Sequence, residues 1–378
     1  MSAYRWIDSS ESLIDALAAL SDEPVVSLDT EFVREKTYYA DLGLIQVGSS
    51  NTSLLIDPQA KCDFAPLVAL FARIGPLKVI HSVGEDLEVL RDRYGAPPEL
   101  VFDTQIAAGM VGLEPNMSLQ KLVFNLLGEQ LDKGETRSNW LARPLSAAQL
   151  AYAAEDVRVL LPIHRVLSER LRELGREHWL AEDCARLVDK ARADLADPQP
   201  HLRNRSTVNM EVEAQKRLWR LLIWRQIRAR ERNLPKNWVL DVPAAFELSV
   251  RTFVDEARFQ KHVDSVAPKV ARRGAELWLV LNDASGDAGF LPAPQVPSGT
   301  QNARQKELKA EVDRIATSLS IAPELLANRR ILESLVGLGP LAAELNGWRG
   351  VVLKSLMPTP AASVFVNLSV ELAQGIAE

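Results

Sequence analysis

The sequence predicts a mixed α/β domain followed by two all-helical blocks. In about the first 175 residues, short apolar runs of strand type alternate with amphipathic stretches of helical spacing. Farther along the chain the spacing is only helical, and two aperiodic stretches, at residues 194–200 and 283–297, interrupt it. A chain of 378 residues also exceeds what one hydrophobic core usually spans. We therefore expect two or three domains.

The predicted elements follow from periodicity and from the residues that break it. Runs rich in Val, Ile and Leu indicate strands, and Gly48 opens a Gly-Ser-Ser-Asn turn typical of a hairpin. Ser146 has the residue type of a helix N-cap. The predicted strands are residues 25–28, 44–47, 53–56, 77–80 and 101–103. The predicted helices are residues 64–74, 85–94, 146–171, 212–232 and 305–319.

These elements group into an α/β domain, a connection and two helical blocks. The blocks have similar length and helix content, which suggests a duplicated module. We call them the first helical block (residues 209–283) and the second helical block (residues 301–378). The other predicted segments are the α/β domain at residues 1–175, a helical connection and linker at 176–208, and a Pro/Gly-rich linker at 284–300.

Composition is that of an ordinary globular chain and excludes some classes. Apolar residues make up 47% and charged residues 25%, and the formal net charge is −6. No stretch approaches the roughly 18 consecutive apolar residues of a membrane helix, and the first residues lack the pattern of a signal peptide, so we expect a cytoplasmic protein. Cys62 and Cys184 show no metal-ligand spacing, which favours two reduced thiols. A nucleic-acid partner would have to meet a local basic patch.

Three acidic clusters are the most specific feature of the sequence. Asp29 and Glu31 follow the first predicted strand, and Asp86 lies about one turn into the helix after a later strand. Tyr152 and Asp156 are four residues apart in a predicted helix, so they share one face of it. Residues two apart on a strand also share a face, which aligns Asp29 with Glu31. This spacing is compatible with four carboxylates and a phenol meeting at one edge of the sheet.

Four carboxylates in one cleft repel each other unless cations neutralise them. Two divalent metal ions are the usual solution, and oxygen ligands favour Mg²⁺ or Mn²⁺ over zinc. Phosphodiester hydrolysis is the usual purpose of such a site. Taken singly, each cluster has an ordinary alternative, since an Asp-x-Glu arises by chance and acidic pairs on helices are mostly solvated. The metal hypothesis depends on the combination.

The motifs resemble those of the ribonuclease D family of DEDD 3′–5′ exonucleases, in the branch that uses tyrosine. The first motif is Leu-Asp-Thr-Glu-Phe at residues 28–32 with Gly-Leu-Ile-Gln at 43–46, and the second is residues 81–87. The third is residues 133–157, which include the segments 138–145 and 152–156. Residues 221–225 with 233–235 resemble an HRDC domain, and residues 321–327 resemble a second, more divergent copy. The resemblance implies a ribonuclease H-like mixed sheet followed by two HRDC-type domains.

The resemblance also implies a mechanism. Asp29 would bridge two metal ions, Glu31 and Asp156 would hold the ion that activates the attacking water, and Asp86 would support the ion at the leaving 3′ oxygen. Tyr152 would orient the water, since a phenol of pKa about 10 is a poor base at neutral pH. The protein would trim transfer RNA precursors and other small structured RNAs and release 5′-mononucleotides. Of the possible oligomeric states we favour a monomer. A DNA 3′–5′ exonuclease and a non-catalytic RNA-binding scaffold are the alternatives.

A basic segment between residues 203 and 236 is the part of the chain best suited to hold phosphates. It contains ten Arg and Lys residues against three Glu, although a solvated helix face would look the same. We interpret the tryptophans of the helical blocks as core residues rather than stacking platforms. They are Trp219, Trp224, Trp238, Trp278 and Trp348.

Several other polar or aromatic residues lie close to the motifs in sequence. Phe32, Tyr39 and Gln46 are near the first motif and could line the site or pack. We interpret His81 and Asp103 as structural residues.

Overall fold

The computed structural model describes residues 4–20, 22–132, 134–194, 197–293, 298–338 and 341–357. Residues 358–378, the predicted end of the second helical block, lie outside these residues. So do Pro294 and Pro297 of the predicted second linker, and Leu195 and Ala196 of the first.

A six-stranded mixed sheet forms the centre of the α/β domain. In the order β1-β4-β3-β2-β5-β6, the β2–β3 and β3–β4 pairs are antiparallel and the others are parallel. All five predicted strands are confirmed. The edge strand β1 was not predicted, because its four residues alternate only weakly between apolar and polar. The strands are β1 (Tyr4–Ile7), β2 (Val25–Val33), β3 (Asp41–Gly48), β4 (Ser53–Ile56), β5 (Leu77–Ile80) and β6 (Val101–Asp103).

Helices cover both faces of the sheet and are the main elements of the described residues after it, so the predicted fold class is confirmed. In and after the α/β domain they are α1 (Ser10–Ala18), α2 (Ala65–Phe71), α3 (Gly84–Tyr94), α4 (Thr104–Met110), α5 (Leu119–Leu127), α6 (Ala147–Glu173) and α7 (Glu177–Ala193). In the first helical block they are α8 (Val212–Arg232), α9 (Lys236–Val239), α10 (Val242–Val250), α11 (Glu256–Val266) and α12 (Gly274–Asn282). The last ones are α13 (Gly299–Ser318), α14 (Pro323–Leu326), α15 (Arg329–Leu335) and α16 (Trp348–Val352).

The predicted helix at residues 64–74 is shorter than expected. It ends at Phe71 because Ala72 has extended backbone angles, and Ile74 is almost fully exposed. The predicted cap of α6 is confirmed, since the Ser146 hydroxyl accepts a hydrogen bond from the Gln149 amide in a capping box.

Helix α6 lies against the sheet face from which Asp29 and Glu31 project, and two serines fix its distance. The Ser27 hydroxyl donates to the Val157 carbonyl at 2.7 Å, and the Ser53 hydroxyl donates to the Ala154 carbonyl at 3.1 Å. Gly48 permits this approach, because a Cβ there would lie 2.2 Å from the Ser27 hydroxyl. The buried core of α6 is therefore held within direct contact of β2, β3 and β4.

The hydrophobic cores divide the molecule unevenly. The first helical block has a core of its own, built around Leu218, Leu221 and Phe259. The second helical block has none of its own among the described residues, because Leu308 and Trp348 belong to one apolar cluster with α4, α6 and α7. Across the described part of the chain, no helix is both long and apolar enough to cross a membrane.

Candidate active site

Strand β2 carries the first two carboxylates into the space beneath α6. Asp29 and Glu31 are two residues apart within the strand and so share one face. Asp29 stands opposite Gln46 of β3, and the pairing register shifts immediately after Glu31. The long pairing with β3 fixes both carboxylates on rigid backbone.

Helix α6 supplies the other half of the site. Tyr152 and Asp156 lie one turn apart on the buried side of the helix, and the tyrosine hydroxyl hydrogen-bonds the Asp156 carboxylate. The Thr136 side chain also hydrogen-bonds the tyrosine. The ring of Trp140 packs near Tyr152 with centroids 6.1 Å apart. The phenol is therefore positioned from two sides.

Asp86 reaches the site from the first turn of α3. Its carboxylate accepts a short hydrogen bond from the Thr30 hydroxyl, which links α3 to the strand residue between Asp29 and Glu31. Asp103 fixes the turn before α3 by accepting from the amides of Ser82 and Val83 at 3.1 and 3.0 Å. These bonds support the interpretation of Asp103 as structural.

The structure brings the predicted carboxylates together. One oxygen from each of Asp29, Glu31 and Asp156 lies within 4.8 Å of the others. Asp86 is close enough that its charge is the second largest cause, after burial, of the raised pKa of Asp29. Carboxylates at this spacing can share divalent cations or protons.

Burial and mutual repulsion both favour the neutral acids. Burial, followed by the charges of Asp156 and Asp86, raises the pKa of Glu31 to about 8. Burial raises the pKa of Asp86 to about 7 although the Thr30 hydroxyl opposes it, and burial raises that of Asp156 to about 7. The pKa of Asp29 is raised well above its usual value by the same causes. Charge is therefore held in this site at a cost, which bound cations would remove.

Burial, with Asp156 next, also raises the pKa of Tyr152 above its ordinary value. The phenol thus stays protonated at neutral pH and acts as a hydrogen-bond donor.

Several of the other sequence candidates now have locations. Gln46 is fully buried beside Asp29, and its amide has no hydrogen-bond partner among the described residues. Tyr39 lies away from the site, where its backbone amide donates to Asn233 of the first helical block at 3.0 Å. Phe32 packs into the core on the opposite face of the sheet. His81 contacts the Thr104 hydroxyl at 2.9 Å, in agreement with a structural role.

Thr30 is the contributor that the sequence did not reveal. It reads as a spacer between two acids, and nothing in its local pattern indicates that its hydroxyl meets a residue 56 positions away.

Comparison with known proteins agrees with the motifs and with the fold. A family model described as 3′-5′ exonuclease matches residues 4–172. The chain is 39% identical to ribonuclease D of Xanthomonas oryzae, over 95% of this chain and 99% of that one. It is 34% identical to ribonuclease D of Pseudomonas paraeruginosa, over 91% and 94% of the two chains.

The chain belongs to the ribonuclease D family.

The crystal structure of Escherichia coli RNase D, an exoribonuclease, superposes on 93% of this chain and 97% of its own with a TM-score of 0.82 at 29% identity. This ribonuclease D family member is a 3′–5′ exoribonuclease with RNA as its substrate. Its mixed sheet is that of the exonuclease, and its helical C-terminal region corresponds to that of the bacterial enzyme.

Half of the ten cations of the basic segment are paired with carboxylates within the molecule. Arg220 pairs with Asp287, Arg228 with Glu276, and Lys216 with Glu213. Part of the predicted excess is therefore internal pairing, as the solvated-helix alternative expected. A smaller set of cations remains available for phosphate.

The tryptophans of the blocks divide by exposure. Trp224 and Trp348 are core residues, as interpreted from the sequence. The core interpretation is wrong for Trp238, which is 52% exposed because the short helix α9 turns it outward. Trp219 is half-buried and donates its ring N–H to the Pro198 carbonyl at 2.7 Å, while Trp278 packs at the edge of the first block's core.

Proposed function

We propose that the chain shortens RNA from the 3′ end by a two-metal mechanism, with Mg²⁺ or Mn²⁺ held by four carboxylates. The residues are Asp29, Glu31, Asp86 and Asp156. The observation that carries this proposal is the approach of three carboxylate oxygens to within 4.8 Å of one another, from the buried Asp156 and the half-buried Asp29 and Glu31, with Asp86 beside them.

The residues fit divalent ions of the hard type. Every candidate ligand is a carboxylate oxygen, which suits Mg²⁺ and Mn²⁺ and does not suit zinc. Raised pKa values at Asp29 and Glu31 reflect burial and repulsion, which a bound cation would relieve. When bound, such ions activate water and stabilise the charge that develops on the leaving oxygen.

The side chains have separable roles in this mechanism. Asp29, at the centre of the cluster, would bridge the ions, while Glu31 and Asp156 would hold the one on the side of the attacking water. Asp86, fixed by Thr30, would hold the one at the leaving 3′ oxygen. Tyr152 would donate a hydrogen bond that orients the water, because its raised pKa excludes a role as general base at neutral pH.

The proposed substrates are transfer RNA precursors and other small structured RNAs. The proposed products are 5′-mononucleotides, released one by one from the 3′ end. Support comes from E. coli RNase D, which is an exoribonuclease involved in structured RNA processing. A cytoplasmic location suits these substrates, and Cys62 and Cys184 are free thiols, as such a compartment favours.

Asp29→Asn tests the proposal because it removes the central negative charge and keeps the shape of the side chain. On a 5′-labelled RNA with Mg²⁺, we expect turnover to fall at least ~10³-fold. Glu85→Gln is the matched control, since Glu85 is an exposed acid beside Asp86. A matched DNA strand distinguishes the DNA exonuclease alternative. Near-normal turnover of the Asp29→Asn protein would refute the assignment.

A further inference from the structure

A cavity of about 650 Å³ lies between the α/β domain and the first helical block. Both regions contribute to its wall, the α/β domain through Arg34 and Tyr38 and the helical block through Arg225, Arg230 and Lys236. Seven arginine or lysine side chains and five carboxylates line it. One residue of its wall, Arg34, follows Glu31 of the acidic site by three positions in the sequence.

The carboxylates of the cavity are largely engaged by a subset of these cations. Asp194 binds both Arg91 and Arg230, and Asp197 binds Arg203. Asp92 pairs with Arg91, and Glu88 lies 3.8 Å from Arg34. In the part of the chain that the structure describes, Lys190, Arg225 and Lys236 have no carboxylate within 4.0 Å. The cavity wall therefore carries cations that the protein itself does not neutralise.

Two buried donors on helix α8 also lack acceptors. Arg225 is 9% exposed, and its Nε has no partner among the described residues, while one Nη donates to the Leu240 carbonyl at 3.3 Å. Gln226 is 3% exposed, its Oε1 accepts from Lys236 at 3.4 Å, and its Nε2 has no partner among the described residues. A buried donor without a partner is unfavourable, so donors grouped in a cavity wall indicate an acceptor that binds there.

The electrostatics of Lys236 agree with this geometry. Burial, followed by the neighbouring charges of Arg203 and Arg225, lowers its pKa. A cation held near other cations is stabilised by any anion that enters.

We propose that this cavity binds a phosphate group through Arg225, Gln226 and Lys236. A phosphate offers only acceptors, and the wall offers guanidinium, amide and ammonium donors, so each unpaired N–H would gain a charge-assisted bond. The backbone of the RNA substrate is the source we favour, and in this respect the inference rests on the proposed function. A free phosphate ion is the other source of the same chemistry.

The test measures binding by the full chain carrying Asp29→Asn in EDTA, so that cleavage plays no part. The probes are a fluorescent RNA hairpin with a single-stranded 3′ tail, and inorganic phosphate in a separate calorimetric titration. The test substitutions are Lys236→Gln and Arg225→Gln, with circular dichroism to verify folding. Arg232→Gln is the matched control, because Arg232 is exposed on the same helix and lies outside the cavity.

Lys236→Gln and Arg225→Gln should each weaken hairpin binding about 5- to 10-fold and reduce the slope of log Kd against log salt by about 1, as for one lost phosphate contact. Arg232→Gln should change the affinity less than about 2-fold. If the two cavity substitutions abolish binding of inorganic phosphate and leave hairpin affinity unchanged, the phosphate site stands and its source is the free ion. If they match Arg232→Gln with both probes, the proposal is wrong. Binding in EDTA is independent of hydrolysis, so a failure of the proposed activity would be seen separately.

Discussion

The two helical blocks contact the α/β domain through different kinds of surface. The second block shares an apolar core with it, and Trp348 stacks on Trp179 of α7 with centroids 4.3 Å apart and planes 9° apart. The first block has a core of its own, against which only Tyr38 of the described α/β residues packs, and most of its contacts with the rest of the chain are polar, such as Arg230 with Asp194 and Asn233 with the backbone of Tyr38. One contact excludes water and the other surrounds a charged cavity.

This difference suggests a division of labour. Apolar burial stabilises the second block as part of the catalytic domain's fold, since the free energy scales with the apolar area removed from water. Exposed ion pairs contribute little stability, about 0–1 kcal/mol each, yet they leave charge accessible to a ligand. The polar contact is therefore the one suited to RNA, and the apolar one to structure.

Replacing one tryptophan in each block is the strongest test of this contrast. Trp348→Ala should lower the free energy of unfolding by about 3–5 kcal/mol, because it removes a buried aromatic side chain from the shared core. Trp238→Ala, the same change at a half-exposed position of the first block, should cost far less. Chemical denaturation followed by circular dichroism measures both. Equal losses would show that the two contacts do not differ in this way.

A matched pair of arginines tests the ionic contacts. Arg349 binds the buried Asp183 through two bonds of 2.7 and 2.9 Å, whereas Arg230 binds the more exposed Asp194. Arg349→Met should cost about 3 kcal/mol, because it leaves a buried carboxylate with weaker compensation from Arg186.

Arg230→Met should cost about 1 kcal/mol or less, and the loss should shrink as salt is added. The same denaturation experiment at two salt concentrations measures it. A larger loss for Arg230→Met than for Arg349→Met would reverse the comparison.

The acidic site is a third kind of buried charged group. Asp183 is paired with Arg349, but no Arg or Lys of the described residues is among the groups that shift the pKa of Asp29 or Glu31. The raised pKa values of Glu31, Asp86 and Asp156 mean that the metal-free folded state binds more protons than the unfolded state up to about pH 8. The contribution of these three carboxyl groups to the stability of the folded state is complete below the ordinary carboxyl pKa, and it is lost as pH rises through about 7 to 8. The melting temperature in EDTA should therefore fall between pH 6.5 and 8, and Mn²⁺ should reduce the fall.

That pH window separates the carboxylates from other groups. Burial lowers the pKa of His81, so its effect, a stability that increases with pH, is complete near pH 6.5. Burial lowers the pKa of Lys78 to about 8, so its effect on stability, which also increases with pH, comes above pH 8. Asp29→Asn should flatten the slope in EDTA. A melting temperature that rises from pH 6.5 to 8 in the metal-free protein would contradict the electrostatic account.

The parts of the site that sequence predicts are those governed by local periodicity. Strand spacing aligns Asp29 with Glu31, and helix spacing aligns Tyr152 with Asp156, so each pair follows from its own element. The motif resemblance then supplied the convergence of the pairs and the placement of Asp86, which periodicity alone does not determine.

The parts that sequence did not predict depend on contacts between distant elements. The bond from Thr30 to Asp86 and the pairing of Gln46 with Asp29 follow from how β2, β3 and α3 pack. The shared core of the second helical block is similar, since an amphipathic helix such as α13 shows which face is buried but not what covers it. The exposed position of Trp238 likewise depends on how α9 packs.

The central claim is that the acidic cluster holds the divalent ions on which hydrolysis depends. Calorimetric titration of Mn²⁺ into the metal-free protein, with RNA hydrolysis measured on the same samples, tests it most directly. We predict about two ions per chain, with hydrolysis appearing as they bind, and fewer ions with no hydrolysis in the Asp29→Asn protein. Hydrolysis that persists in EDTA, or equal ion binding and equal turnover in both proteins, would contradict the claim.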